Sequence, residues 1–109
     1  MIVDDSEIDR ENYRRLLSRN LEYNFEIREC ASGAAAMRAF REDRPDCILL
    51  DYSLPDLDGI EFLSAMQAEC PNYAMPLVLM LTGQGTSTVA VEAIRRGATD
   101  YLVKKGEAF

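Results

Sequence analysis

The 109 residues carry nineteen acidic and twelve basic side chains and no histidine, for a formal charge of −7. With 48% hydrophobic and 28% charged residues this is one globular domain, long enough to bury roughly two-thirds of its unfolded surface. The acid excess argues against a nucleic-acid footprint, which needs clustered Lys and Arg. No apolar run approaches a membrane span and no signal-peptide pattern opens the sequence, so a cytoplasmic location without membrane contact is expected.

Three cysteines, Cys30, Cys47 and Cys70, are odd in number and lack metal-ligand spacing, which fits free thiols in a reducing cytosol. The missing histidine excludes Ser-His-Asp and Cys-His nucleophile systems. It equally excludes phosphotransfer through a histidine of this chain.

Met1-Ile2-Val3 reads as the end of a buried strand, cut short at its start, and runs directly into Asp4-Asp5. Ser6 can cap the following helix, with Asp9 three residues on in a weak capping box. Tyr13, Leu16 and Leu17 give that helix its apolar stripe, and Arg10, Arg14, Arg15 and Arg19 read as solvated charge. Asn20 to Asn24 is a turn region, and the period-two alternation of Phe25-Glu26-Ile27-Arg28-Glu29 predicts a second strand. After Ser32-Gly33, the Ala-rich run from Ala34 to Glu42 is a helix anchored by Met37 and Phe40.

Cys47-Ile48-Leu49-Leu50 is apolar, short, and bounded by Pro45-Asp46 before it and by Leu54-Pro55 and Gly59 after it. These punctuation marks decide for a buried strand over a helix segment. The run stops on Asp51. A carboxylate at the carboxyl end of such a strand points into the crevice where open α/β sheets place their chemistry. A third helix follows from about Gly59 to Glu69 through Ile60, Leu63 and Met66, stopped by Pro71. Leu77-Val78-Leu79-Met80-Leu81 is a further apolar strand that ends on Thr82-Gly83-Gln84-Gly85. Val89, Val91, Ala93 and Ile94 mark a fourth helix, closed by Gly97 in the place of a left-handed cap. Asp100-Tyr101-Leu102-Val103 is the last strand and ends on Lys104-Lys105-Gly106.

Strand and helix signals alternate, and the central strands are wholly apolar, the pattern of a parallel sheet covered on both faces. In such a sheet the strand ends bearing Asp4-Asp5, Asp51, Thr82 and Lys104 share one edge. Three carboxylates brought to about 5 Å repel by roughly 3 kcal/mol per pair at an effective dielectric of about 20. A cation must offset this, either Lys104 or a divalent metal, and hard oxygen ligands suit Mg²⁺. A carboxylate beside such a metal, a lysine and a hydroxyl is equipment for accepting a phosphoryl group by in-line attack of Asp51.

With Asp4-Asp5, the segment Asp51-Tyr52-Ser53-Leu54-Pro55-Asp56-Leu57-Asp58-Gly59, Leu81-Thr82-Gly83, Gly97-Ala98 and Asp100 to Lys104 in this order, the chain resembles a response-regulator receiver domain over its whole length. The resemblance implies a three-layer, doubly wound, flavodoxin-like sheet of five parallel strands in the order 2-1-3-4-5. It implies that a sensor histidine kinase or a histidine phosphotransfer protein phosphorylates Asp51, in keeping with a donor histidine supplied in trans. Asp5 and Asp51 would bind Mg²⁺ directly with the backbone carbonyl of Ser53, and Asp4 mostly through water. Thr82 and Lys104 would hold the phosphoryl oxygens, and Tyr101 would be the aromatic switch on the surface of the fourth helix and fifth strand. The output would pass to an effector domain in the same polypeptide or through a homodimer.

The sequence departs from the family in two places. Lys105 stands where proline usually follows the lysine, and a cis bond before a non-proline costs about 2.5–4 kcal/mol, so another loop path is expected. No fifth helix follows Lys104, which leaves the first helix to cover one sheet face alone. Leu79 and Leu102 are then expected to be partly uncovered, and the natural polypeptide to continue past Phe109.

Four other readings fit less well. A calcium loop at Asp56-Leu57-Asp58-Gly59 wants an acid at 54 and a Glu at 65, where Leu54 and Ala65 stand. A pseudo-receiver would have lost Asp51, an acidic-pair member or Lys104. A dehalogenase-type phosphatase needs a second acid where Ser53 stands. A flavin phosphate would meet the charge of Asp4-Asp5.

Overall fold

The two-residue segment Ile2–Val3, fully buried, forms β1, and everything else in the sheet is laid out from it. The computed structural model describes residues 1–20, 22–70, 75–83 and 87–104. In chain order β1 is followed by α1 (Glu7–Ser18), β2 (Glu29–Cys30), α2 (Gly33–Glu42), β3 (Cys47–Asp51) and α3 (Gly59–Ala68), then β4 (Leu77–Thr82), α4 (Ser87–Arg95) and β5 (Asp100–Val103). All strand pairs are parallel, and the order is β2-β1-β3-β4-β5. The expected fold class is therefore the observed one.

The central strands bury alternate residues on opposite faces, as a pleated strand must. Ile48, Leu50, Val78 and Met80 join Phe40, Phe62, Leu63 and Met66 in a sealed core under α2, α3 and α4. Ile2 and Leu81 turn the other way and meet Tyr13 of α1, with Leu17, Leu49 and Leu79 only partly buried around them. The uneven cover expected from the sequence is seen at Leu79, which is half-buried, and at Leu102, which is 42% exposed. Residues 105–109, on which the expectations about Lys105, the loop after Lys104 and the fifth helix fall, lie outside the described residues. So do Gln84, Gly85 and the helix stop at Pro71.

Ser6 caps α1 by accepting from the Asp9 N–H at 3.2 Å, whereas Asp9 turns its own carboxylate elsewhere. A complete capping box occurs instead on α3, between Asp58 and Glu61. α4 ends as expected: Gly97 has φ +107°, and its N–H and that of Ala98 bond back to Ile94 and Ala93 in a Schellman arrangement.

The second strand differs from its prediction. The alternation over 25–29 marked a longer strand, but β2 is only Glu29–Cys30. It is an edge strand whose sole neighbour, β1, offers two residues in register, Ile2 to Glu29 and Val3 to Cys30. A ladder cannot outlast its partner, so Phe25 sits outside the sheet with its ring against Tyr23, 43% exposed. Of the four arginines read as solvated charge, Arg14, Arg15 and Arg19 are exposed as expected and Arg10 is not. Arg10 and Arg14 both pair with Glu29, which ties α1 to β2, and Arg10 Nη1 donates to the Asp4 carbonyl at 2.6 Å.

Gly59, the first residue of α3, packs where a Cβ would lie 2.9 Å from Met80 Cε, 3.1 Å from Tyr52 Cα and 3.3 Å from the Asp51 carbonyl. The methionine tip can give way, but the β3 backbone next to Asp51 cannot. Overpacking of this kind costs about 1–3 kcal/mol, and the better helix preference of alanine returns at most about 1 kcal/mol. Gly59→Ala is therefore expected to lower stability by about 1 kcal/mol in chemical denaturation. An unchanged or raised midpoint would show that the backbone accommodates the methyl group.

Candidate functional site

Parallel pairing brings four strand ends to one edge, and the side chains predicted from the sequence meet there. Asp4 follows β1 directly and is 1% exposed; Asp51 closes β3 at 6%, and Thr82 closes β4, also buried. Lys104 follows β5, where its N–H extends the β4–β5 ladder by donating to the Thr82 carbonyl at 2.6 Å. Across 100 residues of sequence its Nζ donates to Asp4 Oδ2 at 2.8 Å, and it lies 3.1 Å from Asp51 Oδ1.

Asp4 has both oxygens engaged within the protein, since Oδ1 accepts from the Ser6 N–H at 2.9 Å. Asp5 is exposed at the rim of the crevice. One carboxylate oxygen from each of Asp4, Asp5 and Asp51 lies within 4.8 Å of the others. Ser53 sits two residues beyond β3, in an isolated antiparallel bridge with Asp58. Tyr101 of β5 stands in register with Met80 and is partly buried against the main core.

Three contributors were not read as site residues from the sequence. Asp9 accepts from Lys104 Nζ at 3.0 Å. Tyr13 places its phenol in the same cluster, where burial pushes its pKa up to about 12 against the field of Lys104. Asp56, in the loop after the Asp51 strand, accepts the Gly33 and Ala34 N–H groups at 2.9 and 2.8 Å and so caps α2 from outside. Helical periodicity identified Tyr13 only as core, and no local signal joins Asp56 to a helix 23 residues earlier in the chain.

The electrostatics follow from burial. Desolvation, reinforced by Asp4 and opposed by Lys104, raises the Asp51 pKa from 3.8 to about 6. Burial disfavours the Lys104 ammonium, but the hydrogen bonds it donates to Asp4 and Asp9 and the charge of Asp51 outweigh it and hold its pKa above the ordinary value. The site therefore combines a resident cation with a carboxylate that is ionised at neutral pH yet poorly solvated.

The family model for the response regulator receiver domain matches residues 1–108. The chain belongs to this family. It is a receiver domain of the two-component type, 38% identical over 105 residues to the transcriptional regulatory protein SrrA of Staphylococcus aureus. That alignment covers 95% of this chain, which spans about 40% of the length of SrrA. A LuxR-family two-component response regulator from Aurantimonas sp. SI85-9A1 superposes with a TM-score of 0.85 at 34% identity, over 98% of this chain and 74% of that one. A chain of the CheX-CheY-BeF3-Mg²⁺ complex from Borrelia burgdorferi gives 0.84 at 25% identity, over 95% of this chain and 75% of that one. No described helix of the receiver domain is long and apolar enough to cross a membrane.

The raised pKa of Asp51 has a consequence for stability. Its folded-state value lies above the unfolded one, so the native protein binds the proton more tightly and ionisation is destabilising. Stability from this group is present below about pH 4 and is lost as pH rises through about 6. A shift of this size corresponds to roughly 3 kcal/mol. With chelator present, Asp51→Asn should gain stability over the native protein at pH 7, by an amount of that order at most, and the gain should shrink toward pH 4. Parallel pH–stability curves for the two proteins would contradict the assignment.

Proposed function

We propose that this receiver domain is a cytoplasmic phosphoacceptor switch in which Asp51 takes a phosphoryl group from the phosphohistidine of a sensor histidine kinase or a histidine phosphotransfer protein. One observation carries the reading: a buried carboxylate at a strand end, 3.1 Å from a lysine ammonium and clustered with two further acids. An Asp51 carboxylate oxygen forms the new bond to phosphorus as the phosphorus–nitrogen bond breaks. Its electron pair leaves with the imidazole nitrogen, and the imidazole takes up a proton. Lys104 and the Thr82 hydroxyl stabilise charge on the transferring oxygens.

The donor set fits Mg²⁺. Its oxygens are hard, they come from three carboxylates gathered within 4.8 Å, and Asp5 is open to solvent, as an ion that keeps several waters requires. Asp5 and Asp51, with the Ser53 carbonyl, would hold the ion, and Asp4, with both oxygens engaged, would act through water. The ion would neutralise the carboxylates and the incoming phosphoryl oxygens. The occurrence of BeF3 and Mg²⁺ in the Borrelia burgdorferi CheX-CheY complex supports this reading. The domain catalyses only its own phosphorylation and a slow hydrolytic reversal, so it is not a turnover enzyme. The chain spans about 40% of the length of the transcriptional regulatory protein SrrA, and the output would pass to an effector domain of the same polypeptide or through a homodimer.

Incubation with Mg²⁺ and acetyl phosphate is expected to add one phosphoryl group, read as a mass gain. Asp51→Asn or chelation of the metal should abolish it. Undiminished labelling of the Asn variant would overturn the assignment of Asp51.

The signal would leave through Thr82 and Tyr101. Drawing the Thr82 hydroxyl toward the phosphoryl group gives the active state a contact that the resting state lacks, and a ligand biases a two-state element only through such a difference. Tyr101, partly buried beside β4, then moves inward and reshapes the α4–β5 surface. Beryllofluoride should change the Tyr101 ring resonances of the native domain and leave those of Thr82→Ala near their resting values. Equal responses of the two proteins would refute the coupling.

A further inference from the structure

An ammonium group has three N–H donors and no acceptor. In the resting receiver domain Lys104 has three carboxylate neighbours, Asp4 at 2.8 Å, Asp9 at 3.0 Å and Asp51 at 3.1 Å. Two of the three belong to strand ends of the acidic crevice. Asp9 does not: it comes from the first turn of α1, its side chain is 37% exposed, and it lies outside the group of acids that could hold a metal. Its carboxylate could have completed the capping box of α1 but is committed to the lysine instead.

We propose that Asp9 is a positioning residue that restrains Lys104 in the resting state and competes with the incoming phosphoryl group for it. This rests on the phosphoacceptor reading above. When a phosphoryl group arrives at Asp51, its oxygens need a donor from Lys104, and among the three carboxylates around the ammonium Asp9 is the one whose release uncovers no buried charge. Asp9 also adds a negative charge beside the path of an anionic donor. Both effects act in one direction, so Asp9 slows phosphoryl acceptance while its charge helps attract the metal cation.

The variants Asp9→Asn and Asp9→Ala separate these effects from a loss of structure, because a generally loosened site would weaken both ligands together. At saturating Mg²⁺, both variants should bind beryllofluoride about three- to tenfold more tightly than the native domain and accept phosphoryl from acetyl phosphate faster by a similar factor. Their affinity for Mg²⁺ alone, read by fluorescence or NMR titration, should fall about two- to fivefold. Asp9→Glu should return both values to within about twofold of native. If the native domain forms adducts and the Asp9 variants bind beryllofluoride within twofold of it, or more weakly, Asp9 is not a competitor and this inference fails alone. If the native domain binds Mg²⁺ yet takes neither beryllofluoride nor phosphoryl, the phosphoacceptor reading fails and this inference falls with it.

Discussion

The ammonium of Lys104 is the charge on which this site depends. Three acids at one sheet edge repel one another, and two of them, Asp4 and Asp51, are almost removed from water. Lys104 lies within 3.1 Å of both, which makes the cluster tolerable without making it comfortable. The residue of that tension appears on Asp51, whose carboxylate remains harder to ionise than one in water.

The topology makes such a cluster possible without long-range design of each contact. In a parallel sheet every strand delivers its carboxyl end to the same edge, and a residue one step past the ladder inherits its position from the ladder. Asp51 pairs in register with Leu81, and the Lys104 N–H is held by the Thr82 carbonyl. The geometry of the charged groups is thus set by backbone hydrogen bonds and by the sealed core beneath them, not by flexible loops. Gly59 serves the same end, since its missing side chain lets α3 start directly against the backbone of Asp51 and Tyr52.

This explains what was legible in the sequence. Asp4, Asp51, Thr82 and Lys104 each end an apolar run, so a strand prediction and the parallel rule were enough to bring them together. The second strand was not legible, because its length is dictated by the two-residue β1 beside it and not by its own alternation. Asp9 and Arg10 were misjudged for a related reason. Both are polar residues in the first turn of a helix, and local pattern assigns such residues to capping or to solvent. Only the placement of α1 against the sheet edge shows that one faces the Lys104 ammonium and the other the Asp4 carbonyl.

The two halves of the sheet are unequally held, and this bears on where a change at Asp51 can travel. Under α2 and α3 the core is continuous, with Phe40, Phe62, Leu63 and Met66 entirely buried. Beside β5 the packing is thinner. Among the described residues α4 buries only Ala93, exposes Val91 and Ile94, and faces a strand whose Tyr101 is half-buried and whose Leu102 and Val103 are exposed. A rearrangement displaces fewest contacts where burial is least, and elements that move in response to ligands are drawn from such regions. Thr82 lies between the two regimes, at the end of a strand paired on one side with the rigid β3 and on the other with β5. Thr82 itself is in register with Val103 of β5, and its less buried neighbours therefore lie on the α4 and β5 side of the sheet.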